Sequence, residues 1–447
     1  MRQLYLLFLS ISFVFFGFLF KNEPNDSTAV KFEKQSSEVK KPTPPKKRKS
    51  LVLINNDATA ENQRVNFFAP SISISKTVTV QGGGNATVGG QLNYTISLSN
   101  SASVGGSNNA TGVTVTDFLS SDLTLVAGSV KATPIAGDDS YSSIGNVGIT
   151  VPAINGLLAN DNSPSNEIIS VTAVNTAGTM GNVTFNPDGS FSFSPNAGYK
   201  GTTSFTYTIT GASSSLTSTG TVTITVSNPI WFINVSAPNG GNGTLSSPFN
   251  SINSFNGTSL DATDDYIFIY SGTYTVTTST LLLGRQKIIG QGAVGTSLAS
   301  VAGITVPDYS NTLPSINGSR PEWNSSANPA INLQSQNEAY GFNVTGSTGV
   351  TMTGSSFTSM KIRDVSLNNT NGQAINFVTG ALDVIFTSVS ASGGSKGISV
   401  NSCTGSFQVL GTGTTTGSGG TINNITNRGA EFISVASVTL KNMNFVN

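Results

Sequence analysis

Chemistry on a substrate needs ionisable or nucleophilic side chains within reach of one another, and this sequence supplies few. Lysine plus arginine and aspartate plus glutamate number 22 each in 447 residues, and histidine is absent. The commonest general base and metal ligand is therefore missing, which removes zinc sites and Ser-His-Asp or Cys-His nucleophiles from consideration within this chain. Cys403 is the sole cysteine. It has no partner for an internal disulfide and reads as a small packed residue. Acid/base work on a sugar needs paired carboxylates, or an acid with a basic residue that abstracts a proton. Asp264, Asp265, Asp308, Asp364 and Arg363 are the available parts. Asp264 and Asp265 read as a turn, and Arg363 and Asp364 are neighbours on a strand, where successive side chains face opposite sides. No catalytic residue emerges, and the alternative of a polysaccharide lyase or hydrolase has only these dispersed groups to work with.

The elements that carry these residues are strands. Only 10% of the chain is charged, while glycine alone contributes 48 residues and Val, Ile and Phe recur in short alternating runs. This composition predicts an all-β protein of extracellular type with two to four domains. Charge balances to zero, so no basic field exists to hold nucleic acid once the N-terminal tail is set aside. Residues 1–29 contain an apolar run from Leu4 to Phe20 behind Arg2, which reads as a secretory signal or a membrane anchor; any membrane contact is expected there or in sequence beyond residue 447. Residues 30–70 are basic and proline-rich, as at Lys46, Lys47, Arg48 and Lys49, and read as a disordered spacer.

Residues 71–133 alternate in the manner of a small β-sandwich: Ile72 and Ile74, then Leu92, Tyr94, Ile96 and Leu98, then Val113 and Val115. In 134–229 Asp188 and Gly189 fall between Phe185 and Phe191, a tight hairpin signal. In 230–447 a strand pattern recurs. Met360, Ile362, Val365 and Leu367 are echoed by Val384, Phe386, Val389 and Ala391 and again by Val438, Leu440, Met443 and Phe445, while Ile375 and Phe377 are echoed by Ile398 and Val400. Short strands returning at a fixed period without intervening helices predict stacked coils that bury their apolar faces against their neighbours. A leucine-rich repeat has a comparable period, but its Leu ladder is missing. The last repeat keeps full alternation up to Val446, so a capping segment is expected further on.

Three resemblances accompany this reading. Ser75, Lys76 and Thr77, with Val88 to Thr95 and Ala110 to Asp117, resemble a conserved repeat of bacterial surface proteins, which implies a spacer module. Ala136 to Asp139, Gly156 to Asp161 and the run from Gly181 to Gly201 resemble a cadherin-like, immunoglobulin-type repeat of bacterial adhesins. Trp231 to Ile252, followed by Asp264 to Tyr274 and later by Gly417 to Ile425, resembles a right-handed parallel β-helix of the pectate-lyase-like superfamily. Together they imply two small sandwiches followed by a β-helix, on a fold that hosts enzymes, adhesins and inert stalks alike.

The cadherin-like resemblance also implies calcium, since its members carry hard oxygen ligands near the Ala-Asn-Asp motif. Asp138, Asp139, Asp161 and Glu167 are the candidate ligands, with turn-forming carboxylates as the plain alternative. In the β-helix an irregular insertion from about 306 to 328 contains Trp323, a candidate for stacking on sugar, with covering of the helix end as its alternative. The resulting expectation is a secreted or cell-surface protein that presents a β-helix for adhesion to glycans or other surface components, with an inert stalk as a further reading.

Overall fold

The computed structural model of the protein describes residues 9–16, 18–20, 71–83, 90–101, 123–126 and 129–446. The basic spacer and the motifs at 88–89 and 110–117 lie outside the described residues. The chain folds as two compact units, one of residues 1–134 with 163–167, the other of 135–162 with 168–447.

In the first unit, Ser71–Val80 and Leu92–Ser101 pair antiparallel, as their period-2 pattern predicts. Leu92, Ile96 and Leu98 are buried. The sheet is completed by Leu9–Phe16, which lies between Leu92–Ser101 and Val130–Ala132. Phe18–Phe20 pairs with Leu123–Leu125. Residues 9–16 and 18–20 of the apolar N-terminal run are therefore strand here, outside the 71–133 boundary that the sequence suggests. Among the described residues no helix is long and apolar enough to cross a membrane.

The second unit begins with a sandwich. One sheet orders Asp139–Ile144, Thr217–Ser227, Gly201–Gly211 and Ile169–Asn175; the other orders Gly181–Phe185, Phe191–Pro195 and Ile149–Val151. Their inward sets meet in one core, in which Phe193, Tyr207, Ile209, Val222 and Ile224 are fully buried. The hairpin at Asp188 and Gly189 forms: Gly189 has φ +86°, and the Asp188 carboxylate accepts from the Ser190 N–H at 2.9 Å.

From Ile230 onward the chain builds a fifteen-stranded, curled parallel sheet. Three stacks of strands share the work. The first runs Ile230–Ile233, Tyr266–Ile269, Lys287–Gly290 and Asn337–Tyr340 onto Met360 to Arg363. The second runs Thr273–Val276, Glu322–Ser325 and Asn343–Gly346 onto Ser366 to Asn369. The third begins with Thr280–Leu281 and Ile331–Leu333. Ile375 stacks on Ile398 and Phe377 on Val400, as the 23-residue offset predicts. The other series has a rung between its second and third members: Val384 pairs with Phe407 and Phe407 with Val438. Side chains pointing into the curl form a continuous core from Trp231 and Ile267 to Phe407 and Ile422. At about 1.5–3 kcal/mol for each large apolar side chain buried, this stack stabilises the unit more than any polar contact.

The first stack is apolar on both faces. Trp231 and Ile233 point into the curl, while Ile230 and Phe232 point out, as do Phe268, Ile289 and Tyr340. This outer face is covered by Leu298, Ala302 and Ile316 from the segment after Gly290, and by Ile144 and Val147 from the sandwich. Within that cover Leu298–Ala302 forms a short helix, started by Ser297, whose side chain accepts from the Ser300 N–H, and ended by Gly303 at φ +72°.

Candidate functional site

Two features of the second unit bring chemistry-bearing residues together: a tyrosine–carboxylate node inside the sandwich, and a cleft where the sandwich meets the segment 304–321 of the curled sheet.

The junction is made by backbone. Ile149 and Ser310 form an antiparallel bridge, the Thr150 N–H donates to the Tyr309 carbonyl at 2.9 Å, and the Asn311 N–H donates to the Gly148 carbonyl at 2.8 Å. The segment thus adds a short strand to the edge of the three-stranded sheet, the same geometry by which peptides augment sheets. Tyr309 has φ +62°, an uncommon conformation for a bulky residue. Its ring stands edge-on to Tyr141, centroids 6.4 Å apart, and Tyr141 meets Phe191 at 5.0 Å. Beside this contact lies an open cleft of 510 Å³, with Ser140, Ser142 and Thr225 on the sandwich side and Pro307, Asp308 and Tyr309 opposite.

In the node, the Tyr207 hydroxyl lies 2.8 Å from the Gly137 carbonyl, 2.9 Å from the Leu157 carbonyl and 2.9 Å from Asp161 Oδ1. The Asp139 carboxyl faces the same hydroxyl. Asp161 Oδ1 also accepts from the Gly137 N–H at 2.7 Å. Asp139 Oδ2 and Asp161 Oδ2 are both buried without a protein hydrogen-bond partner. A hydroxyl has one proton to give and more acceptors around it than that proton can serve, so a proton held on a carboxyl completes the set. Burial pushes the Asp139 carboxyl up to about 7 against the lowering effect of Tyr207, with Asp161 and Asp138 adding to the rise. Asp161 is raised too, chiefly by burial, and the Tyr207 hydroxyl is pushed far above its ordinary value by the same burial and the two carboxylates.

The four candidate calcium ligands are thus divided. Asp139 and Asp161 meet on Tyr207. The Asp138 carboxylate accepts from the Thr221 N–H at 2.9 Å, and Glu167, in the segment 163–167, accepts from the Ser165 hydroxyl at 3.0 Å. Among the described residues no group of three or more Asp, Glu, Cys or His side chains is placed to hold a metal ion. Sequence spacing identifies the acids; the part played by Tyr207 is invisible there, because it reaches Asp161 from a different strand.

Trp323 requires a correction. It is fully buried in Glu322–Ser325, inside the curl and stacked on Phe342 with centroids 5.4 Å apart. The strand Glu322–Ser325 ends the irregular insertion, and Trp323 sits at an inward position on it, paired with Tyr274 and Val344. It offers no face to a ligand.

The remaining acid/base candidates are held apart in structural roles. Asp264, in a turn at φ +72°, pairs with Arg285 at 2.5 Å, which holds its carboxyl low. Asp265 is buried and accepts from the Trp231 indole N–H at 2.9 Å, with burial raising its carboxyl. Arg363 bridges to Asp383 at 2.5 Å, while Asp364 turns away to accept from the Val294 N–H at 3.2 Å. Asp308 alone lines the cleft. Cys403 is buried in the core of the curl.

Residues 131–228 match the bacterial cadherin-like domain family. The match spans the sandwich and supports its cadherin-like, immunoglobulin-type reading and, with it, a surface or adhesion setting. No curated protein and no solved structure matches the chain.

Proposed function

We propose that this chain is an exported bacterial surface protein in which sandwich modules carry and fix a right-handed parallel β-helix, residues 230–447, used in adhesion to carbohydrate or other surface components. The observation that carries the reading is the cadherin-like match over 131–228 on a sandwich that is joined by backbone hydrogen bonds to the curled sheet. A spacer module ordinarily ends in a linker. Here Ile230 begins a curled-sheet strand immediately after the sandwich strand that ends at Ser227, and the Ile230 N–H donates to the Gly145 carbonyl of the sandwich at 3.0 Å. Such a joint transmits orientation, which is what a presented binding surface requires. The outward sets of the curl are mainly hydroxyl and amide side chains, and several of its charged groups are engaged in ion pairs, as Arg363 is with Asp383 at 2.5 Å and Lys287 with Glu338 at 3.1 Å. Groups so engaged favour presentation over turnover by the lyase or hydrolase alternative.

The test is localisation joined to adhesion. Intact producing cells are treated with an external protease and probed for residues 134–447, and cells displaying the chain are scored for retention on polysaccharide-coated surfaces. Surface cleavage with retention above that of cells lacking the chain supports the reading. A chain found wholly inside the cell overturns it.

A further inference from the structure

We propose that the cleft between the strand Asp139–Ile144 and the segment 305–309 binds a neutral oligosaccharide. The inference rests on the surface-adhesion reading above and gives it a site, one built jointly by sandwich and curled sheet.

The cleft's volume, 510 Å³, falls within the range of small-molecule sites, about 300–1,000 Å³. Its chemistry is selective. Ser140, Ser142 and Thr225 offer hydroxyls, each able to donate and to accept, and no lysine or arginine lines it. Without a cation the cleft does not favour phosphates or acidic sugars. Asp308 places one carboxylate on the rim, and two oxygens on one planar group accept in parallel from two neighbouring hydroxyls of a sugar ring. Tyr309 supplies an aromatic ring beside these polar groups, the pairing of apolar face and hydrogen-bonding rim that a pyranose presents in return.

Preorganisation is the second line of support. Tyr309 is held at φ +62° by the hydrogen bond from Thr150 to its carbonyl and by the ring of Tyr141. Backbone held in a sparsely populated conformation by its surroundings clusters at binding sites. The opposite wall is a strand paired along its length with Thr217–Ser227. Neither wall has to be ordered when a ligand arrives, so binding adds little cost for ordering the site itself. An extended polar peptide along Asp139–Ile144, the outer strand of its sheet, is the competing occupant. The lining favours sugar, because the contacts offered are side-chain hydroxyls and a carboxylate.

The experiment uses the full chain, with titration calorimetry against cellohexaose, mannohexaose and maltohexaose and, as the competing probe, a Ser/Thr-rich decapeptide. At least one hexasaccharide is expected to bind. Asp308→Asn, an exposed position, is expected to weaken it at least 10-fold, and Ser142→Trp, which fills the cleft from the strand side, to abolish it, with far-UV circular dichroism unchanged for both. Failure of all three sugars on folded protein, equal binding by both variants, or binding of the peptide alone overturns the proposal. Cells displaying these variants separate the two readings. Surface exposure and adhesion equal to the parent leave the surface role standing and remove the cleft, whereas absence from the surface removes the broader reading itself.

Discussion

Thr150 and Tyr309, far apart in the chain, share a backbone hydrogen bond of 2.9 Å that stitches the sandwich to the curled sheet. Asn311 and Gly148 repeat the stitch at 2.8 Å. Because these bonds close a sheet edge, they make the two parts of the second unit one mechanical body. The same segment covers the outer apolar face at Phe232 and Phe268, so docking and face burial are a single event.

Asn311→Pro removes the N–H that reaches Gly148 and leaves its carbonyl without that donor. The expected loss is about 1–2 kcal/mol at the junction. Limited proteolysis between residues 303 and 321 should accelerate by roughly 5–30-fold, the population change that such a loss implies. Cleavage at the parental rate would show that the Asn311–Gly148 bond contributes nothing to holding the junction.

Trp323→Ala leaves a cavity against Phe342 in the core of the curl. A truncation of this kind costs about 3–5 kcal/mol, to be read as a lower urea midpoint for residues 230–446. Trp323→Phe should recover most of it. Sugar binding below the unfolding transition should be unchanged, because the indole touches no solvent; a selective loss of binding in a stably folded Trp323→Ala protein would contradict its assignment as core.

Burial sets the sign of a pH effect at Asp139. Its carboxyl rises from 3.8 to about 7 on folding. Between those values the folded state holds a proton that the unfolded chain has released. Stability therefore falls as pH rises through this window: the contribution is fully present below about pH 4 and is lost above about pH 7. The site is partly exposed, and solvent screening reduces the effect to about 1–2 kcal/mol. Hydrogen exchange in Asp139–Ile144 and Gly201–Gly211 should slow on going from pH 7.5 to 5, after correction for intrinsic rates. Asp139→Asn, which mimics the protonated form, should flatten that dependence; an unchanged slope would place the proton elsewhere.

Period and alternation carried much of this fold into view. The stacking of Ile375 on Ile398 follows directly from a 23-residue offset, because parallel rungs repeat the same inward positions. The rung at Phe407 lies between Val384 and Val438, and a longer connection after Leu410 stretches the last offset, so the period alone does not reveal it. The covered outer face was also legible in principle. Ile230 to Ile233 is an unbroken apolar run, the mark of a strand buried on both sides. The node at Tyr207 and the cleft at Asp308 were not legible as sites, since each is assembled from strands whose pairing no local pattern specifies. Trp323 shows the opposite failure: its residue type suggested a ligand, while its inward register decided its fate.

Calcium is the final question for the node. An ion there would draw six to eight oxygens at about 2.3–2.6 Å. The Gly137 and Leu157 carbonyls and Asp161 do converge, but on the Tyr207 hydroxyl, which occupies the point where their directions meet. The Asp138 carboxylate is engaged by the Thr221 N–H. Entry of an ion would require displacement of the tyrosine hydroxyl and ionisation of both Asp139 and Asp161, so millimolar calcium is expected to leave hydrogen exchange in Gly201–Gly211 unchanged at pH 5, where a proton holds the node. Tyr207→Phe removes the hydroxyl and leaves the surrounding oxygens facing one another. In that variant at pH 8, millimolar calcium should restore protection that the substitution has cost, by mass action on the folded state. Calcium that protects the parent protein equally at pH 5 and pH 8 would show that the ion, and not the proton, is the natural occupant.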